Sequence, residues 1–408
     1  MYTSSYYFSI PLLFIFFSIF IFLATFNSYA KNNIQSIAFT SCIWQPDPSI
    51  WKEISDSVIN NFKPDIFIFA GDSVYNDMSD NGVYLTLDYA YQRVPFINYT
   101  KWFYRQNVMD SLSDKFKAFT STDFFVRLSS DLKIKSESYE LPSNIGGYPG
   151  ILAIWDDHDY GYNDAGSWHP EKIKAKNIFQ SYFGKPPNSD MLDDQAGIYG
   201  SYLCGPSNNL QIILLDCRSF KTPHFKLQNN PNPTILGDTQ WDWLNKELNK
   251  SVSIRIIVSS IPVLAKDIFA WKNGKWKTKS KERWDIFGKE RQRLLNLLSK
   301  STGQVIILSG DWHFADISKI TQQGKQIYEV TAGGWHSNDP NFKGYKGLRS
   351  RFKQQFSLES IQKDHPPTAW QNFGGIRINW DTQTIHLATY NKDSDIPDGY
   401  ETTLSFYE

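Results

Sequence analysis

Three segments that lie far apart in the chain each end an apolar run on side chains that can bind metal ions. The runs end on Asp72, on the Asp-Asp-His-Asp run at 156–159, and on the pair Asp311 and His313. If the runs are buried parallel strands, these side chains meet at one edge, because ligands of open α/β sheets lie beyond the carboxyl ends of the strands. Aspartate carboxylates bind hard cations, and imidazole suits Zn, Fe or Mn. The pattern predicts the metal site of a hydrolase.

The chemistry that such a site favours is the hydrolysis of phosphate esters by a metal-bound hydroxide. Two ions about 3.5–4 Å apart can share a carboxylate, lower the pKa of a bound water to near 7 and neutralise charge on the phosphoryl oxygens. Asp72, at a Gly-Asp corner, is the best candidate for the shared carboxylate, with Asp157, Asp311 and His313 as terminal ligands. A single Gly-Asp corner is usually only a turn, so the hypothesis depends on the three segments occurring together.

Strands and helices alternate along the chain in the pattern of an α/β fold. No internal repeat or Pro/Gly-rich linker divides residues 31–408, so we expect one domain, with loop-rich insertions at 160–200 and 335–370 around the cleft. Residues 84–136 are expected to be largely helical. Further helices are expected at 49–62, from 241 and at 288–300, and strands at 34–40, 66–70, 150–155, 211–216, 254–259, 304–309, 326–331, 374–380 and 384–390.

The composition excludes one class of partner. The 42 basic and 42 acidic residues give no net charge, so no overall field attracts a polyanion, and we expect no nucleic-acid partner. No obligate protein partner is evident. The aromatic content of 16% suits a large core. A second interpretation is a cleft that stacks on the leaving group, for which the candidates are Trp155, Trp168, Trp312 and Trp335.

The amino-terminal segment has the features of a secretory signal. Residues 10–26 form an apolar run, and Ser28-Tyr29-Ala30 follows with small residues that suit an export peptidase. We therefore expect residues 1–30 to be a signal peptide. No Lys or Arg precedes the run, and its length approaches that of a membrane span, so an uncleaved anchor is the alternative. In either case we expect an exported protein (periplasmic, extracellular or anchored on the outside) that touches a membrane only through this segment.

Export raises the question of disulfides, and the chain has three cysteines, Cys42, Cys204 and Cys217. Cys204 and Cys217 flank a predicted hairpin with its turn at 205–209, which pairs Cys204 with a residue near Gln211. At about 3.3 Å per strand residue, the offset of Cys217 exceeds the reach of a disulfide. We expect no bridge between these two, and Cys42 is then either a buried thiol or a metal ligand.

Together the motifs resemble the alkaline phosphatase D-like (PhoD-like) enzymes of the calcineurin-like metallophosphatase superfamily. The similarity spans about residues 36–335, and its most specific part is the Trp-Asp-Asp-His-Asp run at 155–159. The other matching segments are 39–42, 71–75, 163–164, 215–218, 240–244, 290–295 and 309–313. The resemblance implies a metallophosphatase-type α/β sandwich of two mixed β-sheets flanked by helices, which is the fold class that we expect.

The resemblance also implies a set of metal ligands. It places Cys42 where other branches of the superfamily have Asp-x-His, Asp72 at the bridging carboxylate, and Asp157 at the Asn of a Gly-Asn-His-Glu motif. It places Asp311 and His313 at the two histidines of a Gly-His-x-His motif. Relatives of this kind suit iron held partly by a thiolate and calcium held by oxygen ligands, with zinc or manganese as alternatives.

Other residues near the motifs have open roles. By the resemblance, His158 is the histidine that acts as an acid or stabilises the transition state. Arg218 follows a strand and either clamps a phosphate or forms a structural ion pair. The superfamily's middle histidine is expected near residues 259–262, and this chain has none there. Candidates for the tyrosinate ligand that occurs in some relatives are Tyr89, Tyr91, Tyr99 and Tyr104, and His336 is a further candidate at the cleft.

These observations predict an exported, metal-dependent phosphoesterase that hydrolyses phosphomonoesters, phosphodiesters or both, with two or more metal ions as cofactors. One alternative is a phosphodiesterase or phospholipase proper, whose aromatic residues grip a lipid or nucleoside group. Another is a calcium-stabilised binding protein without catalytic activity, in which the Asp-rich loop 156–164 is structural. That loop lacks the alternation and the glycine of an EF-hand, and this alternative leaves Cys42 and His313 unexplained.

Overall fold

The computed structural model of the chain places two six-stranded β-sheets face to face. The residues that it describes are 34–43, 51–77, 106–138, 141–142, 147–186, 197–227, 229–264, 269–272, 275–278, 282–313, 315–335, 371–391 and 401–407. The predicted signal segment 1–30 and most of the predicted insertion 335–370 lie outside them. No helix within the described ranges is both long and apolar enough to cross a membrane.

Six strands form the first sheet, namely β1 (Ser36–Thr40), β2 (Ile66–Ala70), β3 (Ile151–Ile154), β12 (Asn372–Asn379), β13 (Thr384–Asn391) and β14 (Glu401–Ser405). Their spatial order is β14-β13-β12-β1-β2-β3. Strands β1, β2 and β3 are parallel, whereas β12 joins β1 in antiparallel register. The carboxyl ends of β1, β2 and β3 therefore lie at one edge of the sheet.

Six strands also form the second sheet, namely β4 (Gly200–Cys204), β5 (Leu210–Leu214), β6 (Ile254–Ser259), β9 (Gln304–Ser309), β10 (Asp316–Gln322) and β11 (Lys325–Thr331). Their order is β10-β11-β9-β6-β5-β4, with β5, β6, β9 and β11 parallel and the two edge strands antiparallel. A separate hairpin joins β7 (Phe269–Lys272) to β8 (Lys275–Thr278).

Helices cover the outer faces of the sandwich. The longer ones are α2 (Gln106–Thr120), α3 (Asp123–Ser138), α5 (Lys172–Phe183), α7 (Gly237–Leu248) and α8 (Gly288–Lys300). The shorter ones are α1 (Lys52–Asp56, continued by a π-helical turn at Ser57–Phe62), α4 (Asp157–Tyr160) and α6 (His224–Leu227), with 3₁₀ turns at Pro206–Asn208 and Trp284–Phe287. Aromatic side chains of α2 and α3 pack on the first sheet, where Phe119 and Phe125 contact the Phe69 ring.

The central strands are apolar throughout because both faces of each sheet are covered. Successive side chains of a strand point to opposite faces, and β6 shows the consequence. Ile256 and Val258 belong to the core between the two sheets, whereas Ile257 belongs to the outer core with Trp241 of α7 and Leu294 of α8. Each residue of such a strand is thus buried, and the sheet is held rigidly at the edge where the strands end.

The predicted fold class, a sandwich of two mixed sheets flanked by helices, is confirmed. Nine strands were expected, and each is present within about two residues of its predicted bounds. The prediction of a loop-rich insertion at 160–200 is wrong in part, because α5 occupies Lys172–Phe183. Its buried residues Ala175, Phe179 and Phe183 recur every fourth position, which is a helical signal that the sequence already carried. All three cysteines are buried, and no disulfide joins any of them to another described residue, in agreement with the expectation for Cys204 and Cys217.

Candidate metal centre

The carboxyl ends of strands from both sheets meet at one rim of the sandwich. Hydrogen bonds join these ends: Gly310 N–H donates to the Ser260 carbonyl, and Gly334 N–H donates to the Ser41 carbonyl. Ser260 follows β6 and Gly310 follows β9, while Ser41 follows β1 in the other sheet. The predicted site residues after β1, β2, β3, β5 and β9 are therefore brought to the same rim.

Asp72 lies at the centre of this rim. One of its carboxylate oxygens lies within 4.8 Å of ligand atoms of Asp157 and His158, and we call these three residues the histidine group. Asp72 also lies within 4.8 Å of carboxylate oxygens of Asp156 and Asp311, and we call that set the carboxylate group. Either set could hold a metal ion. Because Asp72 belongs to both, its placement is that of a carboxylate shared by two ions.

Four of the five predicted metal ligands have a left-handed backbone. The φ angles are 57° at Cys42, 54° at Asp72, 64° at Asp311 and 56° at His313. This conformation costs roughly 1–2 kcal/mol for a residue with a Cβ atom. Strain of this kind persists only where the surrounding structure enforces it, and it concentrates at functional sites. The chain therefore turns sharply at these residues, directly after the strands that deliver them to the rim.

Glycines next to two of these residues allow the strands to approach closely. A Cβ atom on Gly71, which precedes Asp72, would lie 2.7 Å from the Asp156 Cβ atom. A Cβ atom on Gly310, which precedes Asp311, would lie 2.6 Å from the Ser41 Cβ atom. Contacts this short do not occur between real Cβ atoms, so only glycine lets the carboxylates of β2, β3 and β9 come together.

Cys42 lies beside Asp72 but belongs to neither group. Its Sγ atom lies 3.7 Å from Asp72 Oδ2 and 3.3 Å from the Ser41 hydroxyl. Burial raises the pKa of the Cys42 thiol well above its usual range, and the nearby charges of Asp72 and Asp311 raise it further. A thiolate at this position therefore needs a bound cation to stabilise it.

The negative charges of the carboxylates at the rim also raise one another's pKa. Burial raises the pKa of Asp72 well above its usual range, and Asp157 and Asp156 add to the rise against the opposing effect of His158. Partial burial likewise raises the pKa of Asp311, with the charges of Asp156 and Asp157 as the next causes. Several buried carboxylates at such short range are unfavourable unless cations neutralise them. The donor set of hard oxygens, one thiol and imidazole therefore fits metal ions.

His158 is held by two neighbours, Asp77 and Tyr75. Its Nδ1 atom lies 2.6 Å from Asp77 Oδ1, and both side chains are buried. The ring of Tyr75 stacks on the imidazole with 4.3 Å between the ring centres, and the Tyr75 hydroxyl donates to Asp72 Oδ2 over 3.4 Å. Burial favours the neutral ring, yet the charges of Asp77, Asp157 and Asp72 outweigh it and raise the pKa of His158.

Arg218 lies below the rim among acidic side chains. Its Nε atom donates to Asp156 Oδ1 over 2.5 Å, and its Nη1 atom lies 2.7 Å from Glu282 Oε2. Its Nη2 atom lies 3.7 Å from Asp157 Oδ1. The side chain is fully buried. These contacts favour the structural ion pair over the phosphate clamp, the two roles left open by the sequence.

Asp311 and His313 form the more open side of the rim. Both side chains are partly exposed, whereas Cys42, Asp72 and Asp157 are buried. Asp311 belongs to the carboxylate group, but His313 belongs to neither group of the described residues. The His313 backbone packs against Gly334, whose added Cβ atom would lie 2.8 Å from the His313 carbonyl oxygen. The structure thus brings four of the seven predicted site residues, Asp72, Asp157, His158 and Asp311, into the two groups.

Three residues at the site lie outside the predicted set of metal ligands and catalytic residues. Asp156 belongs to the carboxylate group, Asp77 holds His158, and Tyr75 joins Asp72 to His158. Tyr75 and Asp77 lie three and five residues after the Gly-Asp corner, so their closeness to Asp72 in sequence is the signal that could have placed them near the site. The tyrosines named earlier as candidate ligands, at 89, 91, 99 and 104, lie outside the described residues, as does His336.

The tryptophans near the motifs mostly pack in the core. Trp155 and Trp335 are fully buried, and the Trp155 indole N–H donates to Asp216 Oδ1 over 2.9 Å. Trp312 is 6% exposed, and its indole N–H donates to the Glu282 carbonyl. A stacking role toward a leaving group is therefore wrong for Trp155 and Trp335. Trp168 alone of the four is only partly buried.

The comparisons with known proteins point to one family. The sequence profile of the PhoD-like phosphatase family matches residues 37–389, which confirms the resemblance predicted from the motifs. Alkaline phosphatase D of Bacillus subtilis (strain 168) is 26% identical over 219 residues, which are 47% of this chain and 36% of that protein. A solved structure of PhoD superposes with a TM-score of 0.54 at 15% identity, covering 93% of this chain and 73% of its own. This second likeness shows a shared fold.

Proposed function

The chain belongs to the PhoD-like phosphatase family, and from that premise we propose that it is an exported, metal-dependent hydrolase of phosphomonoesters, phosphodiesters or both. The observation that carries the proposal is the position of Asp72, which lies within 4.8 Å of ligand atoms in both the histidine group and the carboxylate group. Two ions that share this carboxylate would supply an acidified water and positive charge against the phosphoryl oxygens. The substrate is therefore a phosphate ester.

The donor set supports iron and calcium as the ions. Cys42 is a soft sulfur donor beside Asp72, and a thiolate suits iron better than it suits calcium. The carboxylates of Asp157 and Asp311 are hard oxygen donors, which calcium prefers. The Tyr75 hydroxyl lies 3.4 Å from Asp72 Oδ2, so Tyr75 is the described tyrosine best placed to be a tyrosinate ligand. His313 completes the predicted ligands from the open side of the rim.

His158 and Asp77 would handle the proton of the leaving group. The Asp77 carboxylate holds Nδ1 of His158 at 2.6 Å, which fixes the ring and favours a proton on that nitrogen. If Asp72 and Asp157 hold the ion of the histidine group without the imidazole, a second proton on Nε2 of His158 would be available to the oxygen that leaves phosphorus. The stacked Tyr75 ring keeps the imidazole in this orientation. Arg218 would act as a positioning residue for Asp156 and Asp157, since its guanidinium is occupied by carboxylates.

The proposal is tested by hydrolysis of p-nitrophenyl phosphate and bis-p-nitrophenyl phosphate. We expect Asp72→Asn, Cys42→Ser and His313→Ala to lose nearly all activity on both substrates while the fold is retained. The control is Asp381→Asn, because Asp381 is an exposed aspartate in the turn between β12 and β13. Folded Asp72→Asn protein that keeps the wild-type rate would refute the proposal. The ratio of diester to monoester turnover decides between the two substrate classes.

A further inference from the structure

One oxygen of Asp156 is buried at the rim and accepts no hydrogen bond from the part of the chain that the structure describes. The Asp156 side chain is 1% exposed, and its Oδ2 atom has no hydrogen-bond partner among the described residues. Its other oxygen, Oδ1, accepts hydrogen bonds from Ser260 Oγ at 2.5 Å and Arg218 Nε at 2.5 Å. A buried carboxylate oxygen without a hydrogen-bond donor is costly in free energy, and a bound cation would remove that cost.

We propose that Asp156 is itself a metal ligand and binds a cation through Oδ2 together with Asp72 and Asp311. Carboxylate oxygens of these three residues lie within 4.8 Å of one another, at the ends of β3, β2 and β9. Gly71 permits this approach, because a Cβ atom there would lie 2.7 Å from the Asp156 Cβ atom. The inference rests on the proposed function and names a ligand that was absent from the predicted set.

Ser260 holds Asp156 in place at the rim. It follows β6, and its hydroxyl donates to Asp156 Oδ1 over 2.5 Å. With Oδ1 fixed by Ser260 and Arg218, Oδ2 remains to offer a cation a hard oxygen donor, which suits calcium.

An ion pair with Arg218 does not account for Asp156 by itself. Arg218 engages only Oδ1 of Asp156, and it also lies 2.7 Å from Glu282. Lys221 lies 2.8 Å from Glu282 and offers a second cation nearby. Even with a protonated His158, these cations cannot neutralise the carboxylates of Asp72, Asp156, Asp157, Glu282 and Asp311 together. A bound metal ion would supply the missing positive charge at Oδ2.

The test measures metal binding directly and does not depend on activity. The chelator-treated full chain is titrated with Mn²⁺ and with Ca²⁺ by calorimetry, and bound metal is counted by elemental analysis. We expect Asp156→Asn to lose one of the ions of the wild type, or to bind it more than about 100-fold more weakly, because a direct ligand matters more than an outer-sphere contact. Ser260→Ala is the milder change and should weaken the same site about 10–100-fold.

Glu282→Gln is the matched control. Glu282 is also buried and contacts Arg218, but it belongs to neither group, so this variant should keep the wild-type metal count. Folded Asp156→Asn protein with wild-type affinities, or loss of the same ion from Glu282→Gln, would overturn the inference. If Asp156→Asn does not fold, wild-type metal affinities in Ser260→Ala would overturn the inference in the same way. Failure of the proposed function itself would give a different result: the wild type would then bind no metal ion whose binding is abolished in Asp72→Asn.

Discussion

His158 and Asp77 form a buried pair in which Nδ1 of the imidazole lies 2.6 Å from Oδ1 of the carboxylate. The pair links the end of β3 to the segment after β2, and its members are 81 residues apart. The second Asp77 oxygen accepts the Asn163 N–H over 2.8 Å, so the carboxylate itself is fixed. A histidine held in this way can deliver a proton in a defined direction.

If His158 protonates the leaving oxygen, then Asp77→Asn should slow the enzyme by about 10²-fold on substrates that need this proton. Phenolate leaves phosphorus with difficulty, whereas p-nitrophenolate leaves readily even without a proton. We therefore expect Asp77→Asn to lower kcat much more for phenyl phosphate than for p-nitrophenyl phosphate. His158→Asn should show the same preference. Equal losses of kcat on both substrates would show that the pair only maintains the structure of the site.

Removal of Cys42 should separate the two kinds of ion. Since Sγ lies 3.7 Å from Asp72 Oδ2, a thiolate there would share its ion with Asp72. We expect Cys42→Ser to lose iron and to retain calcium in elemental analysis of the purified protein, whereas Asp72→Asn should lose both. Cys204→Ser is the control, because Cys204 lies at the end of β4 and is not near the rim. Iron that is absent from the wild type, or retained by Cys42→Ser, contradicts this assignment.

Gly310→Ala should damage the site through packing alone. The added methyl group would lie 2.6 Å from the Ser41 Cβ atom and 2.8 Å from the Ala70 carbonyl oxygen, so β1 and β9 would have to separate. Overpacking of this kind costs about 1–3 kcal/mol of unfolding free energy. We expect urea denaturation to show this decrease in the free energy of unfolding, and we expect the variant to bind metal ions more weakly. Gly288→Ala is the matched control, since among the described residues no atom beyond its chain neighbours and its own helix backbone lies within 4 Å of the added methyl group. Equal stabilities of the two variants would contradict the packing argument.

The sequence was sufficient for the strands and for placing most of the candidate ligands at the ends of those strands, for a physical reason. A strand buried on both faces is a continuous apolar run, and a ligand at its end interrupts that run, so both are visible locally. The positions of Asp72, Asp157 and Asp311 could therefore be predicted, and the structure brings all three to the rim.

The partners of those residues could not be predicted in the same way. Ser260 and Asp156 are 104 residues apart, and Arg218 and Asp156 are 62 residues apart. Nothing in the local pattern around Arg218 indicates whether its guanidinium faces solvent, a substrate or three buried carboxylates. That outcome depends on how the two sheets meet. The same is true of Asp77, whose neighbours in sequence give no sign of the His158 ring.

His169 predicts a pH dependence of stability that arises outside the metal centre. The side chain is 1% exposed and packs against the rings of Tyr160 and Tyr162. Burial lowers the pKa of His169 to about 4 from an ordinary value of 6.5. The unfolded chain therefore binds a proton as the pH falls below about 6.5, while the folded chain does not until about pH 4. The stabilising effect of the neutral ring is complete above pH 6.5 and is lost between these two values.

Acidification from pH 7.5 to pH 5 should lower the free energy of unfolding by about 2 kcal/mol, at about 1.4 kcal/mol per pKa unit. The measurement is urea denaturation of the wild type and His169→Gln at both pH values. We expect the variant to be less stable at pH 7.5 but to lose about 2 kcal/mol less on acidification, because it has no group to protonate there. His386→Gln is the control, since His386 is partly exposed on β13 and pairs with Glu401 at the surface. A His169→Gln variant whose stability falls with pH as steeply as that of the wild type would contradict the neutral, buried state of the ring.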